Sequence, residues 1–304
     1  MRETQIVDRI RQLAGNAYQE KSLIRGIGDD CAVLRPRVNE DLVFTSDFVM
    51  EGRHFTLETH SAADIGHKAL ARSLSDLAAM GSEPVFCLVS LALPARLGAR
   101  WVENFYKGLL ALARRYRIAL AGGDLAQFDH VVADVMSCGR VPRGKAILRS
   151  GAKPGDRVYV TGELGASAQG LTRRRGKHWL RHLRPEPRIK PGLALRRLGI
   201  SAAIDVSDGL SLDLHRLCVE SRVSANLDAD LPITPGATLK EALHGGEDYE
   251  LLFTAAETTK IPGQIGDLRI TRIGSVTAGR AGKILFRGGS LAPRGYDHFH
   301  EKQS

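Results

Sequence analysis

The chain has 304 residues, 43% of them hydrophobic and 25% charged, with a net charge of +9 at neutral pH. This is an ordinary globular composition, and it excludes wholesale disorder and collagen-like or low-complexity architecture. The longest apolar stretch, Val85 to Ala95, is broken by Ser90 and Pro94 and falls short of the about 20 residues that cross a membrane.

Met1 to Gln5 lead into no apolar run, so no signal peptide is expected. Ile6, Ile10 and Leu13 recur at helical spacing and predict a helix over 3–14. Leu42 to Ser46 reads as a strand ending at Asp47. A helix follows over 62–80, capped near Ser61 and stopped by Gly81 and Pro84. Val85 to Ala92 is a buried-type strand. Val102, Phe105, Leu109, Ala113 and Tyr116 mark another helix. Ile118 to Ala121 reads as a short strand running into Gly122-Gly123-Asp124, and Val131 to Cys138 as one more strand.

Length suggests about two domains of roughly 150 residues. The boundary is expected near 145–155, giving domains 1–148 and 149–304. Beyond it the pattern predicts a strand over 157–161, a helix near 165–175 and a strand over 202–206. A helix starts at Asp208, and strands follow at 223–228, 249–254, 269–276 and 283–286. Strands and helices mix without strict alternation, which favours an α+β arrangement over a doubly wound sheet.

Residues 172–197 hold ten Lys/Arg and one acid, Glu186, so this segment alone carries the net charge. Trp179 stands there without aromatic neighbours to stack on bases, which weighs against a nucleic-acid partner. Cys31, Cys87, Cys138 and Cys218 form no C-x-x-C pair. They fit core positions in a reducing cytoplasm rather than zinc ligands or disulfides.

The carboxylates carry the chemistry. Asp29-Asp30 follow Gly26-Ile27-Gly28, Asp47 follows Thr45-Ser46, and Asp76 sits in Ser75-Asp76-Leu77. Asp124 follows Gly122-Gly123, and Asp205 and Asp208 share Asp205-Val206-Ser207-Asp208-Gly209. Any one of them could be a turn or capping residue. Five such segments together suggest hard-cation sites, several Mg²⁺ ions and a polyphosphate. No G-x-x-x-x-G-K-[ST] and no G-x-G-x-x-G after a strand is present, so a nucleotide would be held by metals and loops. Ser167, in Gly165-Ala166-Ser167-Ala168-Gln169-Gly170, is not in a nucleophile elbow. Gly245 to Leu251 sets Glu247, Asp248 and Glu250 before the apolar Leu251-Leu252-Phe253. It reads either as a strand entry with solvated charges or as a site for a cation or substrate ammonium.

The segments GIGDDCAVL (26–34), TSDFVMEGRHF (45–55), KALARSLSDLAAMGSEP (68–84), AGGD (121–124), ILRSGAKPGDRVYVTGELG (147–165), LRPEPRI (183–189), AIDVSDGLSLDL (203–214), GGEDYELLF (245–253) and GYDHF (295–299) stand in one order along the chain. Together they resemble the thiamine-monophosphate kinase family, of the superfamily that includes aminoimidazole ribonucleotide synthetase and selenophosphate synthetase. The resemblance implies an aminoimidazole ribonucleotide synthetase-like fold of two α/β domains in a homodimer. The N-terminal domain would bind ATP and Mg²⁺ and pair its strands with a second subunit. It implies ATP-dependent phosphorylation of thiamine monophosphate to thiamine diphosphate, with several Mg²⁺ ions and no general base. Carried over, Asp30, Thr45, Ser46, Asp47, Asp76, Asp124, Asp205 and Asp208 look like metal ligands. Gly123, Asp124, Arg149 and Ser207 look like nucleotide contacts, and His54, Glu247 and Tyr296 like contacts to the thiamine phosphate. The family commonly has Ser-Thr-Asp where this chain has Thr45-Ser46-Asp47, and often Thr where it has Leu125. The basic run 172–184 matches no family pattern. Two alternatives stay open: another ATP-dependent synthetase of the superfamily, and a non-catalytic nucleotide- or RNA-binding protein.

Overall fold

A computed structural model describes residues 3–28 and 30–297. Asp29, and His298 and Phe299 of the closing GYDHF segment, lie outside the described residues. The chain divides into two compact units. One holds the described residues up to Leu77, with Ser82–Ala146 and Leu183–Pro185. The other holds Ala78–Gly81, Ile147–His182 and the remainder from Glu186.

The N-terminal unit begins with α1 (Glu3–Gly15) and a short ribbon, β1 (Leu23–Arg25) and β2 (Val33–Leu34). Then come β3 (Glu40–Met50), α2 (Ala62–Ala79), β4 (Glu83–Leu93), α3 (Gly98–Tyr116), β5 (Ala119–Gln127) and β6 (Val132–Pro142). The four long strands form one sheet in the order β3-β6-β4-β5, with β4 and β5 parallel. Side chains alternate across such a sheet. One face of β4 buries Cys87, Val89 and Leu91, and the helical stripe Val102, Phe105 and Leu109 of α3 is buried in the same unit. On the opposite face, Phe44 and Phe48 are 59% and 55% exposed. Ser61 caps α2 by accepting the Asp64 N–H at 3.2 Å, while the Asp64 carboxylate accepts from the Ser61 hydroxyl at 2.6 Å.

Two expected boundaries move. The strand predicted to end at Asp47 continues to Met50, paired with β6 from Glu40↔Pro142 to Met50↔Val132. The strand predicted to stop before Gly122 runs through to Gln127, paired with β4. Asp47 and Asp124 therefore lie within strands, not at strand ends. Ladder hydrogen bonds carry the backbone past glycines whose local propensity would end a strand. Gly123 has a positional reason: a Cβ there would stand 1.9 Å from the Val89 carbonyl oxygen.

The C-terminal unit contains β7 (Arg157–Thr161), α4 (Ala166–Arg173), α5 (Gly176–Leu183, whose last residue belongs to the first unit), α6 (Ile189–Leu198), β8 (Ala202–Asp205) and α7 (Leu210–Glu220). It continues with β9 (Ser224–Leu227), α8 (Leu239–His244), β10 (Leu251–Ala255), β11 (Gln264–Ile265), β12 (Leu268–Thr277), β13 (Ile284–Phe286) and β14 (Gly289–Leu291). The sheet order is β14-β13-β9-β12-β7-β10-β8, with β11 beside β12. Its core gathers Val158, Val160, Ile204, Leu214, Leu217, Leu252 and Ile273. The mixed sheets are those of an α+β protein. The proline-bearing basic segment folds as α5 and α6. Pro191 falls in the first turn of α6, where its missing N–H costs nothing.

Candidate active site

In the N-terminal unit, β3 and α2 bring Thr45, Asp47 and Asp76 together. The Thr45 hydroxyl donates to the Asp76 carboxylate. Arg72, one turn before Asp76 on α2, lies 3.5 Å from the Asp47 carboxylate. Burial, then the Asp76 charge and in smaller measure Asp134, hold the Asp47 carboxyl above the usual carboxylate range against the pull of Arg72. This cluster carries more negative charge than one arginine offsets.

Strand alternation places Ser46 on the other face, where its hydroxyl donates to Asp134 at 2.7 Å. Asp134 is paired with Ser90, and Ser90 with Asp124, which is exposed. The expected metal set thus divides: Thr45, Asp47 and Asp76 on one face of the sheet, Ser46 and Asp124 on the other. Leu125 turns back toward the helices and lines an apolar cavity with Ile6, Leu93 and Val102. A hydroxyl at that position would enter apolar surroundings. Asp30 is exposed, between Gly28 and β2. His54 is 7% exposed; its Nδ1 accepts the Met50 N–H at 3.0 Å, and its carbonyl accepts from Lys68 Nζ at 3.0 Å.

The C-terminal unit gathers a second group. β8 ends at Asp205, which is 3% exposed, and the loop from it leads into α7. The Glu247 N–H donates to the Ser207 carbonyl at 2.7 Å, and the Tyr296 N–H to the Asp208 carbonyl at 3.1 Å. Asp205, Ser207, Asp208, Glu247 and Tyr296 therefore sit on three segments laced together by main-chain bonds. Glu247 and Tyr249 have φ of 63° and 50°, the left-handed region that such side chains rarely adopt. Arg216 already pairs with the Asp208 carboxylate. Arg149 stands apart. Its carbonyl accepts the Ser221 hydroxyl at 2.5 Å, just beyond the C-terminal end of α7, whereas Ser207 and Asp208 precede the N-terminal end. The 11 residues of α7 separate those ends by about 16 Å.

The other two acids of the Gly245–Leu251 segment are structural. Asp248, 2% exposed, accepts the N–H groups of Gly165 at 2.6 Å and Ser167 at 3.1 Å, at the start of α4. Burial pushes its carboxyl up to about 6. Glu250 is fully buried and bound by Arg181 and Arg188. Burial raises the Glu250 carboxyl, but Arg188 and Arg181, with the Thr161 hydroxyl at 2.6 Å, hold it below its ordinary value. Neither reading of this segment from sequence described these two residues, which are neither solvated nor available to a ligand.

Sequence comparison adds the family. The pattern of the AIR synthase related protein N-terminal domain matches residues 28–141, and that of the C-terminal domain residues 153–286. The thiamine-monophosphate kinase of Salmonella typhimurium is 41% identical over 301 residues, 90% of this chain and 91% of that protein. The Bacillus subtilis thiamine-monophosphate kinase is 35% identical, covering 96% and 98%. The chain belongs to the thiamine-monophosphate kinase family. A crystal structure of thiamine-monophosphate kinase from Stenotrophomonas maltophilia superposes with a TM-score of 0.84 at 38% identity, covering 96% of this chain and 98% of that one. The structure of AaThiL complexed with AMPPCP and TMP superposes with a TM-score of 0.78 at 30% identity, covering 98% of this chain and 99% of that one.

As a member of that family the chain has donors that fit Mg²⁺. They are carboxylate and hydroxyl oxygens, and the Asp47 cluster holds uncompensated negative charge. Among the described residues no three His, Cys, Asp or Glu side chains stand close enough to hold an ion by themselves. Sequence reasoning missed Arg72, Asp134 and Asp213. Asp213 is fully buried and accepts the N–H groups of Asp208 and Gly209 at 3.0 Å each, fixing the loop that carries Asp208. The signal for Arg72 was its spacing of four from Asp76 on one helix face. The cysteines fit core positions at 87, 138 and 218, but Cys31 is exposed.

Proposed function

We propose that this chain transfers the γ-phosphate of ATP to thiamine monophosphate, forming thiamine diphosphate and ADP. The observation that carries the proposal is the 41% identity to a named thiamine-monophosphate kinase across nine-tenths of the chain. Two carboxylate groups, each assembled within its own unit, support it. Thr45, Asp47 and Asp76 would hold Mg²⁺ in one, and Asp205 and Asp208 in the other. Asp30 and Asp124 would add exposed carboxylates, and Ser46 its main-chain carbonyl, since its hydroxyl is turned to the far face. Bound Mg²⁺ would offset the repulsion between two phosphate anions.

The chain's own groups then have defined tasks. Gly123 and Asp124 in the N-terminal unit, and separately Ser207 in the C-terminal unit, would offer nucleotide contacts, and the exposed Arg149 would do so only if the phosphates extend toward its end of α7. Glu247 would meet the cationic thiazolium, and the Tyr296 ring, 37% exposed, would face the acceptor. His54, in the N-terminal unit, would offer a further contact to the thiamine phosphate. The acceptor is a phosphate monoester with a second pKa of about 6, so it is already largely a dianion and needs no general base. Positioning and charge stabilisation suffice for direct in-line transfer. A homodimer in the cytoplasm belongs to the same proposal. The exposed Phe44 and Phe48 support a sheet face covered by a second copy, and four free cysteines agree with a reducing compartment. Among the described residues no helix is long and apolar enough to cross a membrane.

An acceptor panel tests the activity. With ATP and Mg²⁺, ADP release should require thiamine monophosphate and be absent with thiamine or without metal. ADP release with other acceptors of the superfamily but not with thiamine monophosphate would move the chain to a synthetase function.

A further inference from the structure

We propose that the cavity at the turn between α4 and α5 binds a small di- or triphosphate, at a site separate from the candidate active site. The cavity, of about 360 Å³, lies wholly in the C-terminal unit and is lined by Gln169, Arg173, Arg175, Gly176, Lys177, His178 and Pro235. No acid lines it. Three arginines further along the same basic segment are ion-paired internally: Arg181 and Arg188 with Glu250, Arg184 with Asp64. By contrast, among the described residues no carboxylate pairs with Arg173, Arg174, Arg175 or Lys177. Arg173, Arg175 and Lys177 thus share one concavity, Arg173 also donating to the Gly236 carbonyl at 3.4 Å, and the low-dielectric wall focuses their field.

Two further features point to a ligand. The first turn of α5 (Gly176, Lys177, His178) faces the cavity, and helix N-terminal N–H groups favour anions. Gln169 is 2% exposed; its Nε2 donates to the Pro235 carbonyl at 3.2 Å, while its Oε1 is buried with no partner. The cavity is also preformed. At Gly170 a Cβ would stand 2.2 Å from the His178 carbonyl oxygen, so only glycine lets α4 and α5 close on each other there. Burial, then Lys177 and Arg181 and in smaller measure Arg173, hold the His178 imidazole below its ordinary pKa against the pull of Glu163. The eight residues of α4 put this end about 12 Å from the Asp248 end.

The test is calorimetric titration of the full-length protein with inorganic triphosphate, in EDTA so that no Mg²⁺ supports binding at the carboxylates. One saturable site per chain is expected. The triple variant Arg173→Ala, Arg175→Ala, Lys177→Ala replaces exposed side chains and should still fold, with unchanged turnover, but bind roughly 100-fold more weakly or not at all. No saturable binding, or equal binding by the variant, would overturn the proposal. So would capture of a short RNA that triphosphate fails to displace, which would make the patch a nucleic-acid surface.

Discussion

At the scale of single residues, Asp47 is the sharpest case. It sits half-buried beside Asp76, and Arg72 opposes its charge. Two carboxylates held this close repel each other, and a bound cation would relieve that repulsion. Asp47→Asn should reduce turnover by ~10²–10³-fold or more while leaving the melting temperature unchanged or higher. A lower melting temperature with turnover intact would make Asp47 a structural residue. Asp248 provides a pH signature of a different kind. Its carboxyl is raised to about 6, so the folded state binds that proton more tightly than the unfolded chain. The contribution to stability is full below about pH 4, declines as pH rises toward 6 and is flat above. Between those limits it amounts to at most roughly 3 kcal/mol. In melting curves from pH 4 to 8, Asp248→Asn should reduce that decline, and the remaining slope should reflect Asp47 and Asp213, both raised to about 6 in the same direction. An identical pH dependence in variant and parent would show that Asp248 titrates normally.

At the scale of elements, the Arg181–Glu250–Arg188 cluster ties α5 and the start of α6 to the first residue before β10. Glu250 is fully buried, so removing a partner leaves an under-compensated charge. Arg188→Leu should destabilise the C-terminal unit by about 3–5 kcal/mol, measured by denaturant unfolding. A loss under 1 kcal/mol, about that of an exposed pair, would mean water reaches Glu250. This cluster also shows where sequence reasoning stopped. The stripes of α2 and α3 and the apolar runs of β4 and β10 were legible because burial repeats at their own periods. α5 and α6 were not, because arginines and prolines mask a short amphipathic pattern, and their partner Glu250 lies 62 residues from Arg188. The candidate site was legible as a set of acids. Its partition by the pleat, Thr45 and Asp47 on one face and Ser46 and Asp124 on the other, was not, because the strand ends were placed too early. The isolation of Arg149 from Ser207 depends on the course of α7, which no local pattern states.

At the scale of the whole molecule, the open face of the N-terminal sheet carries Phe44 and Phe48, whose exposure is unusual for a face without a partner. Phe48→Lys should shift sedimentation from dimer toward monomer and lower activity with it. A parent protein that sediments as a monomer would remove the dimer from the proposal. The basic charge of residues 172–197 is in part internal, since Arg181, Arg184 and Arg188 are ion-paired within the fold. The central claim is the direct transfer of one phosphoryl group, and the most direct measurement follows that group. Purified protein is incubated with γ-labelled ATP, Mg²⁺ and thiamine monophosphate, and the label is traced after denaturation. It should appear in thiamine diphosphate, in step with ADP, and not in the protein. Label retained on the polypeptide, or released only as inorganic phosphate, would contradict the proposed reaction.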